Sequence, residues 1–125
     1  MSRSARFTGV FGDGKHEFAL NIGELEELQE KCDAGPEEIM ARLLAGNWRV
    51  ADLRETLRLG LKGGGMSSTQ ALVLVERYAG PGDLMALKPL AVSVLGAALV
   101  GAPDEDAREG ELSAGEMTNP SPAES

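Results

Sequence analysis

The one histidine of this 125-residue chain is His16 and the one cysteine is Cys32. Those two side chains hold most of the reactive chemistry the sequence could offer. Nucleophilic catalysis needs a nucleophile, a base and an orienting group within hydrogen-bond reach of one another. His16 lies in a strand-like run, KHEF, and Cys32 lies on the apolar stripe of a helix, so their spacing gives no reason for them to meet. A thiol on such a stripe reads as a small core hydrophobe, and the imidazole as a surface strand residue. Lys62-Gly63-Gly64-Gly65-Met66-Ser67-Ser68 has the composition of a phosphate loop in the wrong order, because the lysine precedes the glycines and no buried strand leads into them. The carboxylate pairs Glu26-Glu27 and Glu37-Glu38 are accounted for by solvated helix faces and by the positive end of a helix dipole. No His/Cys/Asp spacing suits a metal. The reading is therefore a protein with no catalytic residue, no cofactor site and no metal site, which is not an enzyme.

The elements that would position any site follow from periodicity and breakers. Residues 7–11 and 15–20 flank Gly12-Asp13-Gly14, and Asp-Gly between two strand-like runs predicts a β-hairpin over 7–20. Phe7, Gly9 and Phe11 share one face of the first strand; His16, Phe18 and Leu20 share one face of the second. A two-stranded hairpin is marginal alone, so it must lie on helices or pair with another chain. Asn21 with Glu24 three residues later opens a helix over 22–32, whose stripe is Ile22, Leu25, Leu28 and Cys32. Gly35-Pro36 starts a second helix, 36–45, burying Ile39, Met40, Leu43 and Leu44. A third helix, 50–61, carries Val50, Leu53, Leu57 and Leu61, and Gly63-Gly64-Gly65 ends it. Ser67 with Gln70 caps a fourth, 68–79, with Ala71, Leu72, Val75 and Tyr78 inward. The fifth, 84–100, contains Pro89, which would kink or split it. Its last part, LAVSVLGAALV, is apolar nearly all round, so it belongs to the core or waits for a partner.

The fold class predicted is mainly α with a small N-terminal hairpin: α+β, one compact bundle of about five short helices over residues 6–101. Residues 1–5 read as a flexible N-terminus and residues 102–125 as a disordered acidic tail. The net charge of −8 is mostly a property of that tail. Seven acidic residues against Arg108 give it −6, leaving −2 for the body. A nearly balanced body is a poor match for sequence-independent DNA binding, which needs a basic face. Trp48, Arg49, Arg54 and Arg58 could belong to a helix-turn-helix, but Asp52 and Glu55 share the supposed recognition helix. Trp48 reads better as a cap on the core where two helices diverge. The lone cysteine suits a reducing, cytoplasmic compartment, and MSRSARF lacks the apolar run of a signal peptide. The most apolar stretch, 89–100, is shorter than the roughly 20 residues a membrane span needs.

What remains is surface for protein partners: Phe11 on the hairpin, Trp48, and Val92, Leu95, Leu99 and Val100 on the last helix. The hairpin edges add a place for self-association.

The order of short motifs carries one further reading. Phe11-Gly12-Asp13-Gly14, His16 to Phe18, Ile22 to Lys31, Gly35-Pro36, Gly46 to Trp48, and Arg54 to Gly64 together resemble the small tail assembly chaperones of gene transfer agents and related alphaproteobacterial prophages, over roughly residues 7–101. The resemblance implies a chaperone that binds and solubilises the tape measure protein and helps recruit tail tube subunits. It implies no catalytic residue, and the acidic tail departs from shorter relatives. The alternatives are a structural tail protein retained in the particle and a small helical DNA-binding regulator.

Overall fold

The computed structural model describes residues 3–103 and bears out the fold class: an antiparallel hairpin followed by five helices. Strands β2 (Arg6–Phe11) and β3 (Gly14–Ala19) pair with Phe7 opposite Phe18, Gly9 opposite His16 and Phe11 opposite Gly14. The turn differs from the Asp-Gly expectation. Its central residues are Gly12 and Asp13, and only Gly12 takes a positive φ, +61°. That is the pattern of a Gly-first primed turn, whose twist matches that of the strands it joins. Gly12 is needed on two counts, because a Cβ there would also run into the Tyr78 ring.

The helices are α1 (Ile22–Cys32), α2 (Pro36–Ala45), α3 (Val50–Gly63), α4 (Ser68–Tyr78) and α5 (Leu84–Val100). Local signals explain their ends. The Asn21 amide donates to Glu24 Oε1 at 3.0 Å, the Gln70 amide donates to Ser67 Oγ at 3.2 Å, and Gly46 closes α2 in the left-handed region at φ +90°. Helix α3 runs two residues past the expected end, through Gly63. Pro89 does not split α5, which stays one helix. The proline is exposed and lies near the start of the helix, so it removes one backbone bond and the packing of the remaining turns holds.

The core gathers Phe11, Phe18 and Leu20 from the hairpin, Leu28 and Cys32 from α1, Ile39 and Leu43 from α2, Leu53, Leu57, Leu59 and Leu61 from α3, and Val94 and Leu95 from α5. Four expected core residues are exposed instead: Ile22, Leu44, Val50 and Leu72. Ile22 and Val50 are the first residues of their helices, with no preceding turn of their own helix beside them. In α2 the buried set is Ile39, Arg42 and Leu43, and in α4 it is Ala71, Leu74 and Val75. Each is an i, i+3, i+4 stripe, and Leu44 and Leu72 lie one residue further round the helix.

Short strands β1 (Arg3–Ser4) and β4 (Ala102–Pro103) pair antiparallel and bring the two ends of the described chain together. Of the segments expected to be flexible at 1–5 and disordered at 102–125, Arg3–Ser4 and Ala102–Pro103 thus lie in a sheet, and residues 1–2 and 104–125 lie outside the described residues. The acidic residues of the expected tail lie outside the described residues.

Candidate partner-binding surface

A buried charge cluster fixes the corner from which any surface on α2 must be presented. Asp52 is fully buried in the first turn of α3, and Arg42 of α2 is nearly so. Arg42 Nη1 donates to Asp52 Oδ1 at 3.0 Å and to the Cys32 carbonyl at 3.4 Å, and Nη2 donates to Glu38 at 3.2 Å. Asp52 Oδ2 also accepts the Arg49 amide at 2.8 Å, capping α3. The guanidinium thus ties together the end of α1, the last turn of α2 and the start of α3. Cys32 sits beside this cluster, with its thiol donating to the Ala51 carbonyl at 3.5 Å. Burial, reinforced by the Asp52 charge, pushes the thiol pKa up to about 12, which makes it an inert core group as the sequence suggests.

A second, wetter cluster joins α1 to α3. Arg58 donates to Glu55 at 3.0 Å and Glu27 at 3.2 Å, and Lys62 reaches Glu27 at 3.5 Å. Burial works to raise the Glu27 pKa, but Arg58 and Lys62 outweigh it and hold it below the ordinary value. Arg54 in turn pairs with Glu76 on α4. Two of the three arginines that raised the helix-turn-helix alternative, Arg54 and Arg58, are thus engaged within the molecule, while Arg49 is exposed.

The residues singled out for partner binding fall in three environments. Phe11 and Leu95 are buried: Phe11 stacks edge-on against Phe18 and Tyr78, and Leu95 is wholly inside. Neither is a surface group. Trp48 is half-buried against the core, in the capping position. Val92, Leu99 and Val100 lie along one flank of α5 together with Gly96, at helical spacing. That flank adjoins α2, since a Cβ on Gly96 would lie 3.7 Å from Met40 Cε. One turn beyond Met40 is Leu44, 67% exposed, and one turn beyond Gly96 is Val100, 75% exposed, with Leu99 at 39%. The α2–α5 flank is thus an apolar strip with half-buried residues along it and exposed aliphatic side chains further out. Leu44 was not foreseen, because the sequence assigned it to the core.

The hairpin presents one edge and not two. Gly63 and Gly64 at the end of α3 lie so close to the Ala19 and Glu17 carbonyls of β3 that a Cβ at either glycine would collide with them. The β3 edge is therefore sealed by helix backbone. Among the described residues none gives β2 such cover. The Arg6 amide donates to Ser4 Oγ at 3.0 Å, and among the described residues no backbone hydrogen bond joins Thr8 or Val10 to anything but β3.

His16 lies elsewhere than expected in one respect: its side chain is mostly covered, with Nε2 2.7 Å from Asp13 Oδ1. Both line an open cavity of about 300 Å³ with Met66, Thr69, Gln70, Val73 and Leu74. A hydroxyl, an imidazole and a carboxylate share this cavity, but no hydrogen bond joins Thr69 to His16. A nucleophile, a base and an orienter are thus not assembled into a relay. Among the described residues no group of three or more His, Cys, Asp or Glu side chains could hold a metal ion, and no helix is long and apolar enough to cross a membrane.

The hairpin is braced on α3 and α5 and touches α4 through Phe11 and Tyr78, and the described residues leave an apolar α2–α5 flank and one strand edge exposed. The chain matches the family described as phage tail tube protein, GTA-gp10, over residues 4–101, and it belongs to that family. It is thus a protein of the phage and gene transfer agent tail family. No curated protein matches the chain, and no solved structure does.

Proposed function

We propose that this chain is a structural tail protein, retained in the finished particle, that holds neighbouring tail subunits through its α2–α5 flank and acts without catalysis or cofactor. The observation that supports this reading most is the family match, whose description names a tail tube protein and spans nearly the whole described body. Leu44, Leu99 and Val100 supply the exposed apolar groups that a subunit contact would bury. Mass spectrometry of purified particles tests it. A component of the tail should be present in a fixed ratio to the other tail subunits, and its absence from particles would end this reading.

A tail assembly chaperone for the tape measure protein is the second reading. It is favoured by the helical nature of the apolar flank, against which another amphipathic helix could lay its apolar face. It predicts the opposite particle result, together with rescue of tape measure solubility on co-expression in a cytoplasmic host. If the tape measure protein stays equally insoluble with and without this chain, that reading fails.

A further inference from the structure

We propose that two copies of this chain pair through their β2 strands, antiparallel about a two-fold axis at Thr8, to form a closed dimer with a continuous four-stranded sheet. The argument begins at the two-residue turn. With Phe11 and Gly14 flanking it, the pairs Phe11–Gly14, Gly9–His16 and Phe7–Phe18 exchange the ladder hydrogen bonds. The backbone groups of Arg6, Thr8 and Val10 on β2, and of Lys15, Glu17 and Ala19 on β3, then point away from the hairpin. Two independent contacts agree with this phase. The Arg6 amide is bonded outward to Ser4 Oγ, and the carbonyls of Glu17 and Ala19 are the ones that meet Gly64 and Gly63.

The two edges therefore have different fates. The β3 edge is covered, so β2 of one copy cannot add to β3 of the next, and a head-to-tail ring or fibre through this sheet is closed off. Self-pairing is left with one form, β2 on β2, which is isologous and stops at two copies. Its register is set by the outward groups. Thr8 opposite Thr8 of the second copy, and Val10 opposite Arg6, uses about four hydrogen bonds without disturbing the Ser4 contact. No like charges stand opposite each other in that register. Val10, 70% exposed on an otherwise polar face, gains cover from the neighbouring strand. The edge also lacks the devices that keep edges solitary: it has no proline and no inward charge, and its one charged side chain, Arg6, is paired with Glu17 of the same hairpin.

The test measures the mass of the full chain in solution by light scattering after gel filtration, across a dilution series. The wild type should approach twice its 13.1 kDa mass at high concentration. Thr8→Lys puts like charges across the axis, and Thr8→Glu does the same with the other sign; each alone should run at the monomer mass with unchanged circular dichroism. Mixing the two variants should restore the dimer, which a merely destabilised hairpin would not do. Thr8→Pro, which removes only an outward N–H, is the second means of breaking the pair. A wild type that is monomeric throughout, an assembly larger than two, or a dimer untouched by Thr8→Lys and Thr8→Pro would each overturn the proposal.

Discussion

Asp52→Ala offers the sharpest check on what holds this molecule together. Asp52 is fully buried, binds the Arg42 guanidinium at 3.0 and 3.3 Å, and accepts the Arg49 amide at 2.8 Å. Breaking a buried pair by removing one partner costs about 3–5 kcal/mol. The low end applies here, about 3 kcal/mol, because the stranded guanidinium keeps Glu38 and the Cys32 carbonyl. Loss of the α3 cap adds about 1 kcal/mol. The sum, about 4 kcal/mol, is a large part of the 5–15 kcal/mol typical of a domain and corresponds to a fall in Tm of roughly 15–30 °C. Arg42→Met should cost more, since it leaves a carboxylate buried with a single backbone donor. The double variant should cost less than the sum of the singles, because neither charge is then stranded. Thermal and urea unfolding followed by circular dichroism give all three values. A loss below about 1 kcal/mol for Asp52→Ala, or strict additivity in the cycle, would show that the pair is incidental.

Four further outcomes follow from the same contacts. Gly63→Ala and Gly64→Ala should each cost about 1–3 kcal/mol in urea unfolding, because the added methyl meets a β3 carbonyl, whereas Gly23→Ala, in open space on α1, should be neutral or stabilising. Glu27 has a folded pKa below its ordinary value. Its contribution is therefore present above the unfolded pKa and lost as pH falls through the folded one, so Glu27→Gln should be less stable than wild type near neutrality, by under about 1 kcal/mol, with the gap closing in acid. A thiol reagent at pH 8 should leave Cys32 untouched in the native chain and label it in denaturant, given a pKa near 12. Leu95→Asp should abolish folding, while Leu99→Asp should leave the circular dichroism spectrum unchanged and weaken binding to the neighbouring tail protein, because one side chain is wholly buried and the other is 39% exposed.

The hairpin and the helices were legible in the sequence because each carries its own punctuation. Asn21 with Glu24, Pro36, Gly46 and Ser67 with Gln70 are local signals, and local signals survive packing. Which face turns inward was less legible. Leu44 and Leu72 lie one residue off the buried stripes, and a rotation of that size depends on the neighbouring helices and not on the helix itself. Arg42 and Asp52 were hidden for a related reason. Ten residues apart and on separate helices, they look like ordinary surface charges until α2 and α3 fold together; the position of Asp52 three residues after the cap was the one available hint. Phe11 and Leu95 were proposed as surface groups because surplus hydrophobicity in a sequence does not say whether a partner or the chain's own core absorbs it. The glycine run 63–65 looked like a plain breaker, and only the approach of β3 explains why two of those positions exclude a side chain.

Helix α5 links the two surfaces offered to partners. Leu90 lies under the hairpin, with Cδ1 2.8 Å from where a Cβ on Gly9 would stand, and Gly96 lies beside Met40 of α2. Six residues of helix separate these contacts, about 9 Å along the axis. A partner on the β2 edge and a partner on the α2–α5 flank would therefore both bear on one rigid element at a fixed offset. Any coupling between them has to pass through α5 or through the buried corner that holds α2. The two surfaces share no residue, so Asp52→Ala, far from the hairpin, should weaken binding at the flank at temperatures where the domain is still folded and leave the mass of the β2 dimer unchanged, whereas Thr8→Lys should do the reverse. Loss of both activities in either variant, with folding intact, would mean that the two surfaces are one.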